Sequence, residues 1–149
     1  MSQVFIGYGA YGINGVDDEF IRFIFAVTLG CTSKKMDSEA GLILSDDASM
    51  QHLNHRYRGK NSPTNVLSFT NTELAGTVQG ESDANYLGDI YISYAILVAE
   101  AASLQISEKD RFAQLFVHGL LHLLGYDHEQ PAEMVAMEAL EDQIIQLAI

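Results

Sequence analysis

The sequence has a single cysteine and no apolar run long enough to cross a membrane. Cys31 therefore has no partner for an internal disulfide. The most apolar early segment, residues 20–29, is about half as long as a membrane-spanning helix and contains Arg22. The first fifteen residues lack the basic start and the continuous apolar core of a secretion signal. We therefore expect a cytoplasmic protein with no membrane partner.

Basic residues are also scarce: 8 lysines and arginines stand against 20 acidic residues, which gives a formal net charge of −12. The overall field of such a chain disfavours nonspecific binding to nucleic acid. Three of the eight basic residues nevertheless lie within five positions, at Arg56, Arg58 and Lys60, whereas residues 112–149 contain six acids and no lysine or arginine. A local basic patch on an acidic body is therefore possible.

The length of 149 residues and an apolar fraction of 48% predict one domain, spanning residues 1–149, with a single core. Periodicity and turn signals predict strands and helices that alternate along the chain. The expected strands are 4–6, 41–44, 65–69 and 87–92, and the expected helices are 16–29, 48–57, 94–104, a helix capped by Ser107 and a last helix opened by Pro131. This alternation predicts an α/β fold in which a small mixed, partly parallel sheet of about four strands packs against several helices.

Three of the five histidines, His118, His122 and His128, lie at positions i, i+4 and i+10, with Gly125 at i+7. On a helix the first two imidazoles lie one turn apart on nearly the same face, about 6 Å between Cβ atoms. The glycine can end the helix in a left-handed conformation, so that the chain turns back towards them. Three imidazoles with an open fourth position predict a catalytic zinc or similar transition-metal site, and this is the ligand spacing of the metzincin proteases.

The residue after the first histidine separates this motif from a protease motif. A metalloprotease has a glutamate there, which takes a proton from the metal-bound water, but this chain has Gly119. The site therefore needs another base or a substrate with its own nucleophile, such as a phosphodiester beside a ribose 2′-hydroxyl. Tyr126 and Asp127 adjoin the histidines, but either could be a supporting or capping group, so the general base stays open.

Three other features of the sequence are assigned no catalytic or metal-binding residues. Residues 7–12 match the pattern G-x-G-x-x-G, but no helix is expected to begin at Gly12, so we predict a glycine-rich turn and no nucleotide cofactor. His52 and His55 have no third ligand nearby and are interpreted as structural or surface residues. The polar segment 70–86 is long enough for a binding loop and could cover a site.

Arg58 stands at the expected end of a helix, before Gly59 and a strand. A planar guanidinium there could bind a phosphate with two hydrogen bonds, although a solvated basic turn is an equally good interpretation. At this point two segments, residues 53–69 and 118–128, closely resemble the YbeY family of bacterial rRNA-maturation endoribonucleases. Residues 87–93 resemble a third block of that family. Asn61 and Thr70 depart from its pattern, where aspartate and proline are common.

The resemblance covers roughly residues 42–141, including the last helix around Glu133 and Glu138, and it leaves out the glycine-rich N-terminus. It implies a single-domain α/β metalloprotein with a metzincin-like metal-binding helix. The implied activity is a single-strand-specific, metal-dependent endoribonuclease that matures the 3′ end of small-subunit (16S) rRNA and serves ribosome quality control. The implied partners are rRNA, the small ribosomal subunit, ribosomal proteins and the ribosome-assembly GTPase Era.

The resemblance also assigns roles to individual residues. Metal ligation carries over to His118, His122 and His128, which would bind one Zn²⁺ per chain or another divalent transition metal. Arg58 and His118 would be catalytic, and Arg56, Arg58 and Lys60 would contact RNA. Two alternatives stay open: a metzincin-like metallopeptidase, and a non-catalytic ribosome-assembly factor in which the zinc only stabilises the fold.

Overall fold

A computed structural model describes residues 3–32, 37–73 and 85–149. Within these ranges the chain forms four strands and five helices, in the order β1, α1, β2, α2, β3, β4, α3, α4, α5. The strands are β1 (Gln3–Gly7), β2 (Glu39–Ser45), β3 (Val66–Thr70) and β4 (Tyr86–Ser93). The helices are α1 (Asp18–Thr32), α2 (Asp47–Arg58), α3 (Tyr94–Leu104), α4 (Glu108–Leu123) and α5 (Pro131–Ala148).

The four described strands form one mixed sheet in the order β1-β2-β4-β3. β2 pairs in parallel with β1 and with β4, whereas β3 pairs antiparallel with β4, with Ser68 opposite Ile90. Gly88 on β4 has a φ of +142°, and its missing side chain leaves room for the carbonyl of Phe69 on β3. The predicted α/β class and the small, partly parallel sheet are confirmed.

Local sequence signals explain where the helices begin. The side chains of Asp46, Ser93 and Ser107 accept hydrogen bonds from backbone N–H groups in the first turns of α2, α3 and α4. Pro131 occupies the first turn of α5, where its missing N–H costs nothing. The predicted helices are therefore confirmed to within a few residues at each end. Residues 74–84 of the predicted binding loop lie outside the described residues.

The main core lies between one face of the sheet and helices α1, α4 and α5. α4 is its centre, because nine of its sixteen residues are buried. In α5, Met137 and Ile144 are buried in this core, whereas Met134 is 43% exposed.

The glycine-rich segment before α1 forms turns, with Gly9 and Gly15 at positive φ, and α1 begins only at Asp18. The predicted turn is confirmed. Among the described helices, none combines the length and the apolar character that crossing a bilayer requires.

Candidate metal centre

His118 and His122 are the half-buried polar residues in the last two turns of a largely buried helix. The neighbours of these two residues on α4, Val117, Leu120 and Leu121, are fully buried against the core. The imidazoles lie on the other side of the helix, where they line a groove together with residues of β3. Their Nε2 atoms are 3.1 Å apart.

The turn after α4 brings the third histidine back to this pair. Gly125 has a φ of +99°, its N–H donates to the carbonyl of His122, and the N–H of Tyr126 donates to the carbonyl of Leu121. This is the Schellman pattern of helix termination. The ring of His128 then lies 5.6 Å from that of His118 and 5.0 Å from that of His122, between centroids. One nitrogen from each ring lies within 4.8 Å of the other two.

The other ring nitrogens have partners that orient the imidazoles. Nδ1 of His118 lies 3.0 Å from Oε1 of Glu141 on α5, and Nδ1 of His122 lies 3.1 Å from the carbonyl oxygen of Tyr126. When each Nδ1 carries the proton and donates it, each Nε2 presents its lone pair to the space between the rings. Carboxylate or carbonyl acceptors on Nδ1 are typical of metal-binding histidines.

Electrostatics also favour the ligand form of His122. Burial, followed by the neighbouring imidazoles of His118 and His128, lowers the pKa of His122. A neutral imidazole is the form that binds a metal. Three neutral nitrogens with an open side fit a transition metal such as zinc, so the residues present are close enough, and chemically suited, to hold one ion.

Glu141 was missed by the sequence analysis, which named Glu133 and Glu138 on the same helix. Glu141 lies 23 residues from His118 in the chain, so only the packing of α5 on α4 brings them together. A metal-binding histidine commonly has a carboxylate partner, but the sequence does not indicate which of the acids on the last helix supplies it.

Gly119 lies where α4 packs closely on the sheet. A Cβ atom at this position would be 3.0 Å from Cγ2 of Ile90 on β4, which is closer than side chains normally approach. The glutamate that serves metallopeptidases at this position would therefore require the Ile90 side chain or α4 to shift slightly. Glycine fits this close contact and supplies no peptidase base.

Arg58 faces the histidines across one groove, about 520 Å³ in volume. Arg58, Lys60, Glu73 and the three histidines are among the residues that line it. Arg56 does not line this groove, since its guanidinium lies over the ring of Tyr57, 5.4 Å from the centroid. The structure thus places two of the three predicted basic residues beside the histidines.

The Arg58 guanidinium is held by four neighbours, one of which is the carbonyl of Tyr57, a hydrogen-bond acceptor at 3.2 Å. It donates to Oε2 of Glu73 at 2.7 Å and to the carbonyl of Ser68 at 2.9 Å, and it lies 4.8 Å from the ring centroid of Phe69. Burial works against ionisation of Glu73, but its hydrogen bonds from Arg58 and from the N–H of Thr70 outweigh burial and lower its pKa. Proline at position 70, common in the family pattern, would lack that N–H.

The remaining predicted positions lie around the site or away from it. Asp127 accepts a hydrogen bond from the N–H of His128, and Tyr126 contributes its backbone carbonyl, so in this structure both support the histidines. His52 and His55 are exposed on α2 and do not line the groove. Asn61 accepts a hydrogen bond from Gln51 and orders the loop after α2.

An α/β fold with three converging histidines and a facing arginine defines a candidate metal-dependent hydrolase. A family model described as Endoribonuclease YbeY matches residues 16–148. Relatives named "Endoribonuclease YbeY" include one from Roseiflexus sp., 42% identical over 96% of this chain and 88% of that protein. Another, from Rhodospirillum rubrum, is 45% identical over 72% of this chain but only 54% of that longer protein. This chain belongs to the endoribonuclease YbeY family.

A solved structure gives independent support for the fold. The solution structure of a Thermotoga maritima protein matches 99% of this chain and 89% of its own, with a TM-score of 0.61 and 22% sequence identity. The family resemblance inferred from the histidine and arginine segments is confirmed. The finer likeness to metzincins is not tested by this match and stays a prediction.

Proposed function

We propose that this chain is a metal-dependent endoribonuclease that cleaves single-stranded RNA in the groove between Arg58 and the three histidines. One observation carries the proposal: three converging imidazoles and an arginine line the same open groove. Membership of a family whose relatives are named endoribonucleases supports a hydrolase acting on RNA. Arg58 and His118 are the proposed catalytic residues.

His118, His122 and His128 would hold the ion, for which Zn²⁺ is the best fit to an all-nitrogen donor set. When bound, the ion supplies Lewis-acid chemistry at the scissile phosphate. Glu141 and the Tyr126 carbonyl keep the Nδ1 protons in place, so that the imidazoles stay in the ligand tautomer.

Arg58 would bind the phosphate on the opposite side of the groove. Glu73 already occupies its two terminal nitrogens, at 2.7 and 3.4 Å, in the way a phosphate would. Both partners are about one-third exposed, at 34% and 36%, so the pair can exchange with an incoming anion. The freed guanidinium then stabilises negative charge that develops on the phosphate. Lys60 adds a second positive charge on the same side of the groove.

The ribose beside the scissile phosphate provides the nucleophile, because the chain has no glutamate at position 119. In-line attack by the 2′-hydroxyl forms a bond to phosphorus and breaks the bond to the 5′-oxygen, which leaves a 2′,3′-cyclic phosphate and a 5′-hydroxyl. The proton of the 2′-hydroxyl passes to solvent, and the 5′-oxygen takes one from solvent. The structure therefore suits an RNA phosphodiester better than a peptide bond. Cleavage of a substrate with a 2′-deoxy sugar at the reacting position would be abolished under this proposal.

The proposed substrate is rRNA, notably the 3′ end of 16S rRNA, with a role in ribosome quality control. We place the protein in the cytoplasm, with the small ribosomal subunit, ribosomal proteins and Era as its partners. The family resemblance supports these finer assignments, and the charge distribution agrees with them. An acidic chain with one small basic side binds free RNA weakly and gains selectivity from a docked ribosomal particle.

The decisive experiment measures metal content by elemental analysis in wild type and in His122→Ala, and then cleavage of precursor small-subunit rRNA by the same samples with and without chelator. We expect about one metal per chain, with metal and cleavage lost together in the variant. Metal bound without any cleavage would overturn the nuclease and favour an assembly factor with a structural ion. Casein hydrolysis that disappears with chelator would instead favour the metallopeptidase.

A further inference from the structure

A second cavity adjoins the groove on the other side of His118. It has a volume of about 400 Å³ and lies between the start of β3, the middle of α4 and the C-terminal half of α5. Asn65, Val66 and His118 line both this cavity and the groove. A single-stranded RNA bound across His118 would therefore extend from the groove into the second cavity.

The charges of the two cavities differ in sign. Arg58 and Lys60 against Glu73 give the groove a formal charge of +1, with its histidines neutral. Arg111 against Glu141 and Asp142 gives the second cavity a formal charge of −1. The groove thus suits a phosphate, and the second cavity repels one.

Arg111 is the one cation among the residues that line the second cavity, and it already has hydrogen-bond partners. Arg111 donates to Oε1 of Glu100 at 3.0 and 3.1 Å and to Oε1 of Gln114 at 2.7 Å. Glu100 is anchored in turn by the side-chain amide of Asn65. The Arg111 side chain is 19% exposed, whereas that of Arg58 is 34% exposed. The Arg111 network is therefore held more firmly and forms one side of the cavity.

The remaining lining combines an apolar floor with a polar rim. Val66, Leu115 and Ile145 supply the floor. Because Oε1 of Gln114 accepts from Arg111, the amide NH₂ of Gln114 is left as a donor, with no partner among the described residues. Asp142 is exposed and forms no ion pair with any other described residue. An apolar surface edged by a donor and an acceptor matches an uncharged, planar heterocycle.

We propose that this cavity is a nucleobase subsite, which holds the base next to the phosphate bound in the groove. The inference rests on the proposed nuclease function and deepens it. Carboxylates only accept hydrogen bonds, so Asp142 favours bases with an amino group, namely adenine, cytosine and above all guanine, whose N1–H and N2–H can donate to both carboxylate oxygens. Uracil is disfavoured, because its one N3–H lies between two carbonyl oxygens that a carboxylate repels. Asp142 is thus a specificity-determining residue, separate from the groups that hold the ion or the phosphate.

The test uses fluorescent hexauridylates in which one position carries A, C, G or U in turn. Wild type should bind and cleave the three amino-bearing oligonucleotides about tenfold better than hexauridylate. Asp142→Asn, which replaces a pure acceptor by an acceptor and a donor, should remove this preference. Glu133→Gln removes the same charge from an exposed position on α5 outside the cavity, and it should keep the preference.

Two measurements separate failure of the subsite from failure of the nuclease. Binding of the same oligonucleotides to metal-free protein, followed by fluorescence anisotropy, reports the subsite without any cleavage. Equal affinity for all four oligonucleotides, or a preference that survives Asp142→Asn, would overturn the subsite. Base-selective binding with no metal-dependent cleavage of any oligonucleotide would keep the subsite and overturn the proposed activity.

Discussion

The two walls of the groove hold their polar groups in different ways. On the histidine wall, His118 and His122 belong to a buried helix, and each Nδ1 has a fixed partner. On the arginine wall, Arg58 is the last residue of α2, and its main partner, Glu73, is an exposed carboxylate 15 residues away. One wall is preorganised, and the other is closed by an exchangeable pair.

This difference matches what each wall must bind. An ion stays through many turnovers and gains from a rigid donor set, whereas a substrate phosphate must enter and leave. Variants on the histidine wall should therefore change the metal content of the protein. Variants on the arginine wall should change the binding and cleavage of RNA.

The largest expected effect comes from His118→Ala. Loss of one of three ligands should remove both the metal and cleavage, while the chain stays folded, because the side chain of His118 is 31% exposed and contributes little to the core. Elemental analysis and circular dichroism check this. His55→Ala, exposed on α2, is the matched control and should behave as wild type. An unfolded His118→Ala would instead show that the ion is structural.

Arg58→Ala should reduce cleavage by about 10²- to 10³-fold and leave metal content unchanged, since it removes a charge-stabilising donor and no ligand. Single-turnover cleavage and elemental analysis measure the two effects. Arg58→Lys keeps the charge but loses the planar fork, so an intermediate rate is expected. A variant that cleaves normally would show that the arginine wall has no part in catalysis.

Glu141→Gln should weaken metal binding by about 10- to 100-fold, because the amide holds Nδ1 of His118 less strongly than the carboxylate does. Competition with a chromophoric chelator gives the affinity. Glu133→Gln controls for the loss of a negative charge on α5. Unchanged affinity would mean that the His118–Glu141 contact does not support the ligand.

The smallest expected effect is an increase in RNA affinity. Glu73→Gln breaks the pair that occupies Arg58 and should tighten RNA binding by about two- to fivefold, in line with the small net contribution of exposed ion pairs. Anisotropy titrations at several salt concentrations measure it. Glu19→Gln, exposed on α1, is the control for net charge. Weaker binding in Glu73→Gln would show that Glu73 orients Arg58 rather than blocking it.

Much of the fold is encoded in short-range signals. The caps at Asp46, Ser93 and Ser107 and the proline at 131 are local, so the helix starts follow from neighbouring residues. The histidine grouping was also predictable, because a helix and a Schellman turn fix the geometry of an eleven-residue segment. The mixed, partly parallel sheet followed from the alternation of strands and helices.

The partners that complete each wall could not be predicted in this way. Glu141 meets His118, and Glu73 meets Arg58, only through tertiary packing across 23 and 15 residues. The cavity beside His118 likewise depends on three elements that are distant in the sequence. Such contacts depend on how helices lie on the sheet, which periodicity does not specify.

The turn at Gly125 bears on how fast a bound ion would be released, as well as on the position of His128. His118 and His122 are fixed by the helix, whereas His128 is exposed and follows a turn that only glycine forms without strain. A bound ion would therefore be held by two fixed ligands and one on a turn, and its release would begin at His128. Its residence time would then depend on the stiffness of this turn, and exchange of one metal for another would not require the core to open.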